Sequence, residues 1–231
     1  MIKFLISGLI LVLAAGTIYA AARLRGRIAG ATVASRLAEF GADADARWKP
    51  YFATAGVAYP AKRYTFVAIK DAKLLRVYAH DAAGTVRFVR AMPILAASGG
   101  PGPKLRQGDN QVPEGFYAVE SLNPRSLYHV ALRVNYPNAD DRRLASTDGR
   151  TGLGGDIMIH GKSASVGCLA MGDDGAEDLF TLVARTGTPK VTLVFVPTDF
   201  KARPDFAVPA GAPVWLAARY AALKAAMAAL P

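Results

Sequence analysis

The sequence predicts a β-rich domain, mainly β with α additions, in which sheet packs on sheet as in a sandwich or barrel with flanking helices. Three observations predict it. Runs with strand character, YTFVAIK (64–70), KLLRVYAH (73–80) and TVRFVRAM (85–92), follow one another across short Asp- or Gly-containing turns, the signature of an antiparallel meander. Further short runs appear at FYAVES (116–121), LYHVALRV (127–134), IMI (157–159) and KVTLVFVP (190–197). Helical periodicity is confined to a few stretches, whereas a doubly wound parallel sheet alternates strands with helices throughout.

Taken in order, the chain opens with Lys3 and an apolar stretch from Phe4 to Ala22, the pattern of a signal peptide or a membrane anchor, with an A-x-A arrangement at Ala20 to Ala22. Residues 1–27 are therefore set apart from the fold. Arg23, Arg25 and Arg27 follow, and the positive-inside rule alone holds that side in the cytoplasm. The chemistry of the cysteine described below overrides that rule and predicts export to the periplasm, free or tethered to the inner membrane. Residues 28–60 form a helical linker, with Val33, Leu37, Phe40, Ala44 and Trp48 at helical spacing.

Residues 61–200 carry the strands and are the predicted catalytic domain. Within it the stretch 98–115, SGGPGPKLRQGDNQVPEG, is too rich in Gly and Pro for regular structure and long enough to be functional. A second polar stretch, 135–155, is read as a loop. Asp173 and Asp174 precede AEDLFTLVA, a helix with acids at its positive end. Residues 201–231 form a helical extension, in which Leu216, Tyr220, Leu223, Met227 and Leu230 make an apolar stripe suited to packing on the body.

The 231 residues, 52% hydrophobic and 20% charged, suffice for one substantial core. A formal charge of +10 favours an anionic partner such as an acidic membrane surface or a carboxylate-rich polymer. Nucleic acid is excluded by the absence of zinc spacing, of a recognition helix and of a basic stripe interleaved with aromatics. One cysteine permits no internal disulfide, and it and three histidines do not supply the clustered ligands of a metal site.

That thiol needs another explanation, and DIMIHGKSASVGCLAM (156–171) supplies one. A strand delivers His160 to a Gly-containing loop that returns to Gly167 and Cys168. A thiol of pKa about 8.5 is a weak nucleophile, and a neighbouring imidazole lowers that value and populates the thiolate. Gly167, without a side chain, lets the backbone amides of Gly167 and Cys168 approach a developing oxyanion.

These residues resemble the YkuD-type L,D-transpeptidase catalytic domains, and within them the YafK-like branch of murein L,D-transpeptidases and peptidoglycan-protein amidases. The resemblance runs from about Trp48 to about Pro197 and rests on AGVAYP (55–60), PILAASGGPGPKLRQGDNQVPEGFY (93–117), SLNPRSLYH (121–129), NYPNADDR (135–142), DGRTGLGGDIMIHG (148–161) and SVGCLAM (165–171). It implies His160 as general base, Cys168 as nucleophile, and the Gly161 carbonyl as the group that orients the imidazole. Val166 stands where a second His is common, Ala170 where many members have Arg, and the gap from His160 to Cys168 is short for the broader family. Arg142 is the candidate replacement cation, with Tyr136, Asn138, Ser165 and His129 as candidate substrate contacts.

The resemblance implies acyl transfer on peptidoglycan stem peptides through a thioester on Cys168, with no metal or organic cofactor. It also allows an amidase or carboxypeptidase that hydrolyses the wall or releases a wall-bound lipoprotein. A different class, a catalytically silent, membrane-tethered wall-binding module, shares the fold. A thiol redox sensor is a further rival, without a resolving cysteine in this chain.

Overall fold

A computed structural model describes residues 30–231. The predicted anchor or signal at 1–27 lies outside them. Among the described residues no helix is long and apolar enough to cross a membrane.

The first element is α1 (Val33–Ala55), which starts at a capping box formed by Thr32 and Ser35 and stops at Gly56 with φ of 67°. It runs seven residues beyond the Trp48 at which the apolar stripe was expected to end. Phe52 extends that stripe, and Phe40, Ala44, Trp48 and Phe52, each four residues apart, are all buried. Pro50 therefore sits inside the helix.

The meander follows as predicted: β1 (Tyr64–Ile69), β2 (Leu74–His80) and β3 (Val86–Pro93) pair antiparallel, with a register shift at Val77/Tyr78. After the two-residue β4 (Ala96–Ala97) come β5 (Gly115–Asn123), β6 (Ala131–Val134), β7 (Met158–His160), β8 (Leu169–Ala170) and β9 (Val191–Val196). They join in one nine-stranded sheet in the order β3-β2-β1-β9-β5-β6-β7-β8-β4. β5 is the hinge of this sheet. Its first half pairs with β9 and its second with β6, on either side of a register shift at Val119/Ser121. The sheet curls there, so Phe66 and Leu75 of one half share a core with Leu132, Ile159 and Leu169 of the other.

Burial on both faces explains why β1 and β9 read as unbroken hydrophobic runs. Phe66, Ala68, Leu193 and Phe195 face the main core, with Trp48 and Phe52 of α1 and Leu179 and Phe180 of α3 (Gly172–Thr186). The alternate residues Val67, Ile69, Val194 and Val196 face a second core. That core is closed by Leu216, Tyr220, Leu223 and Met227 of the terminal helix α4 (Leu216–Ala228), the predicted stripe.

Two segments differ from the sequence reading. The polar stretch 135–155 contains a helix, α2 (Ala139–Thr147), opened by a capping box between Asn138 and Asp141. Its polarity hid it, since only Leu144, Ala145 and Asp141 are buried. The strand expected at 127–134 begins only at Ala131, because residues 124–130 turn, with His129 at φ of 76°.

Candidate functional site

The free thiol and the buried imidazole belong to adjacent parallel segments. β7 pairs with β8 in the register Ile159↔Leu169 and His160↔Ala170. One step back along that register sets Cys168 opposite Met158, two residues from His160. Cys168 stands just before β8, with its Sγ against the Asp156 carbonyl just ahead of β7. The intervening turn is pinned by Met171 N–H to His160 O at 2.8 Å and Gly172 N–H to Lys162 O at 2.9 Å.

His160 is buried, and its Nδ1 lies 2.6 Å from the carbonyl oxygen of Gly161. A carbonyl only accepts, so Nδ1 carries the proton and Nε2 keeps its lone pair in the neutral ring. Burial holds this imidazole below the usual histidine range, partly offset by the Gly161 contact. The Tyr128 ring lies over it with centroids 4.7 Å apart. Gly161 is sterically obligatory: a Cβ there meets Asp173 Oδ1 at 2.6 Å and Tyr128 O at 2.7 Å.

Cys168 is half-buried, with Sγ 3.6 Å from the carbonyl oxygen of Asp156. Burial pushes its thiol up from the usual value, the Met158 amide opposes this, the Asp156 charge adds to it and Lys104 opposes it. Burial thus disfavours the charged form of both groups, which opposes the thiolate expected from the sequence.

The two amides expected to meet an oxyanion already have partners. Gly167 N–H donates to Ser98 Oγ at 2.5 Å, and Cys168 N–H donates to Ser165 Oγ at 3.2 Å. Ser165 in turn donates to the Cys168 carbonyl at 2.6 Å and sits 3.4 Å from Ser98 Oγ. Gly167 takes φ of 92°, a left-handed value that favours glycine.

The remaining candidates scatter. Ser165 lies in the site. Tyr136 is buried, its hydroxyl donating to Lys104 O at 3.2 Å and Leu153 O at 3.3 Å. Asn138 caps α2 and donates from Nδ2 to Phe116 O at 2.9 Å. Arg142 is exposed and its guanidinium bonds back to Pro137 O. His129 abuts Gly161 through its Cβ, while its Nε2 is 2.8 Å from Glu177 Oε1.

Sequence reasoning missed Ser98, Tyr128 and Gln111, whose carbonyl lies 3.4 Å from a Cβ built on Gly167. For Ser98 the signal was present, since it opens the Gly- and Pro-rich stretch. Beside Gln111 a cavity of about 610 Å³ is lined by Arg106, Asp109 and Arg150 among others. A larger one, about 720 Å³, is lined by Lys62, Arg63, His80 and Lys190 at the other end of β1. It is remote from the thiol and carries part of the surplus positive charge.

A curled sheet with flanking helices, carrying a cysteine and a histidine on adjoining segments, is the frame of an L,D-transpeptidase-type catalytic domain. The chain belongs to the L,D-transpeptidase catalytic domain (YkuD) family, whose model matches residues 62–196. It is 41% identical over 109 residues to the Escherichia coli (strain K12) protein named "Putative L,D-transpeptidase YafK", covering 45% of this chain and 42% of that one. The match in E. coli O157:H7 is the same. The aligned region thus spans less than half the length of these curated relatives. Among solved structures, the helical cell shape determining protein Pgp2 from Campylobacter jejuni shows 27% identity, covers 61% of this chain and 50% of its own, and has a TM-score of 0.47. Bd1075 from Bdellovibrio bacteriovorus shows 19% identity over 61% of this chain and 50% of its own, with a TM-score of 0.42.

Proposed function

We propose that this protein is a periplasmic L,D-transpeptidase that transfers acyl groups between peptidoglycan stem peptides, with Cys168 as nucleophile and His160 as general base. One observation carries the reading. The Nδ1 contact to Gly161 leaves Nε2 as the basic nitrogen on β7, the strand paired with the segment that Cys168 leads into. A neutral pair suits a base that takes the proton as the thiol attacks, with no thiolate stored beforehand.

In this reading Nε2 accepts the Cys168 proton while Sγ bonds to the carbonyl carbon at the L-centre of a diamino acid. The tetrahedral oxyanion shares the Gly167 and Cys168 amides with the Ser98 and Ser165 hydroxyls, which stay in place. The carbon–nitrogen bond to the adjacent D-amino acid then breaks, the imidazolium returning its proton to the leaving amine. A thioester remains on Cys168. The side-chain amine of a second stem attacks it and loses a proton to His160, giving the cross-link and restoring the thiol. Water in place of that amine gives hydrolysis, and a lipoprotein lysine gives attachment or, in reverse, release. No step draws on a metal or organic cofactor. The segment 1–27 directs export or tethers the domain to the inner membrane.

The test is to incubate residues from about Ala31 onward with defined muropeptides, with and without an added amine, and to weigh the products. A dimer linked between diamino acids is expected from the wild type and none from Cys168→Ala. A shortened monomer alone would assign a hydrolase, and indifference to Cys168→Ala would sink the enzyme reading in favour of a wall-binding module.

A further inference from the structure

The stretch 98–115 runs without regular structure from β4 to β5, and both its limbs reach Gly167. Ser98 Oγ accepts from the Gly167 amide, and the Gln111 carbonyl lies 3.4 Å from a Cβ built on Gly167. Both limbs are fastened to a single buried ion pair. Lys70 Nζ lies 3.0 Å from Glu114 Oε1, with side-chain exposures of 4% and 0%. Its other protons go to Gly102 O at 2.8 Å and Val112 O at 2.9 Å, with Gln111 Oε1 at 3.5 Å. Glu114 Oε1 also accepts from the Gly102 amide at 2.9 Å. Gly99 closes the arrangement, since a Cβ there falls 2.1 Å from Gln111 Oε1 and leaves no room for a side chain.

The second oxygen of Glu114 is held from outside the stretch covered by the family model. Tyr220 on α4 donates its hydroxyl to Glu114 Oε2 at 2.7 Å. Its neighbour Arg219 donates to the Glu114 carbonyl at 3.0 Å and reaches Asp141 at 3.0 Å and Asp140 at 2.7 Å. A helix serving only as a lid on the second core needs its apolar stripe and no buried polar contacts. Here two consecutive residues of that helix are spent on one buried glutamate, which costs desolvation unless every lone pair is satisfied.

We infer that α4 is a brace for the catalytic turn: through Tyr220 and Arg219 it fixes Glu114, and Glu114 with Lys70 sets the limbs that hold Gly167 and Cys168 at the angle the reaction needs. Tyr220 and Glu114 are positioning residues, acting through Ser98 and Gln111. The inference rests on the reading of Cys168 as the reacting group, and it deepens that reading by bringing the C-terminal extension into the catalytic unit. Loosening the brace frees the turn, which misaligns the thiol for acyl transfer and at the same time uncovers it.

The experiment compares wild type, Tyr220→Phe, Ser98→Ala and the double variant. Phenylalanine keeps the ring against Phe200 and Phe206 and removes one oxygen. For Tyr220→Phe we expect kcat on a defined muropeptide to fall about tenfold at unchanged KM, the size of effect a small misplacement of reacting groups produces. Iodoacetamide alkylation of Cys168 at neutral pH should rise about threefold as the thiol regains water. Ser98→Ala should repeat both signs, and the double variant should be no worse than the stronger single one, the non-additivity of groups in one chain of contacts. Independent, multiplying effects would overturn the brace, as would a Tyr220→Phe variant that loses only melting temperature. Should that variant not fold, Arg219→Gln, which releases the Glu114 carbonyl, is read by the same two rates. Alkylation needs no wall peptide, so coupling seen there in a protein that turns over no muropeptide would keep the brace and discard the proposed substrate.

Discussion

His160 donates its Nδ1 proton to the carbonyl of Gly161, the residue that follows it, at 2.6 Å. The ring is thus oriented by backbone alone, without a carboxylate, and that contact favours the imidazolium without the full charge an aspartate supplies. Burial lowers the imidazole and raises the thiol. The pH dependence follows. In the proposed mechanism turnover requires neutral His160, so its acid limb should fall below the ordinary imidazole value of about 6.5. Alkylation of Cys168 requires the thiolate and should have its midpoint above about 8.5. Both rates, measured from mildly acid to alkaline pH, check this, and an alkylation midpoint below neutrality would establish a stored ion pair and refute it.

The same imidazole links pH to stability. Its folded pKa is depressed, so the unfolded chain takes up a proton first as the pH drops. Stability should therefore fall as pH falls from about 6.5 toward the lower folded value, and level off beneath it. His160→Gln removes this titration. Denaturant midpoints of the two proteins should differ in pH dependence inside that window and run parallel above it. Identical pH dependence in the window itself would show that His160 is not held neutral.

Gly161→Ala should damage both fold and activity. The added methyl would approach Asp173 Oδ1, Tyr128 O and the His129 Cβ, all within 2.9 Å, and two of these belong to a packed turn that cannot yield freely. Overpacking of this kind costs about 1–3 kcal/mol. The shift of the Gly161 carbonyl should also release the His160 ring, so kcat should drop by more than the loss of folded protein explains. A variant with wild-type melting and turnover would show that the turn tolerates a side chain.

What was legible in the sequence follows from how local its cause was. The β1 to β3 meander and the stripes of α1 and α4 are written in consecutive residues, and Gly161 beside His160 carries its own hydrogen bond. α2 was not legible, because its helix is specified by the reciprocal Asn138 and Asp141 cap rather than by an apolar stripe. Ser98 reaches Gly167 across 69 positions, and Tyr220 reaches Glu114 across 106, contacts no spacing rule contains. The direction in which burial pushes the two groups was hidden for the same reason. Desolvation depends on what the whole fold lays over Cys168 and His160, not on the residues next to them.

Asn138 and Arg142 separate a structural role from a role in substrate binding. Asn138 accepts from the Asp141 amide at 3.0 Å, its own amide donates to Asp141 Oδ2 at 3.1 Å, and its Nδ2 ties the helix start to Phe116 O. Asn138→Ala should therefore cost about 1 kcal/mol of stability, the usual loss for a removed N-cap, seen as a lower denaturant midpoint at unchanged slope. KM for a muropeptide should stay at the wild-type value, because the Asn138 side chain is held by the Asp141 amide and the Phe116 carbonyl. Arg142 is the converse case. It is exposed on α2 with no carboxylate partner among the described residues, so Arg142→Ala should leave the midpoint within about 0.5 kcal/mol of wild type. A rise in KM with Arg142→Ala, diminishing as salt is added, would place a substrate carboxylate at α2. A rise in KM with Asn138→Ala at intact stability would overturn the cap as that residue's function.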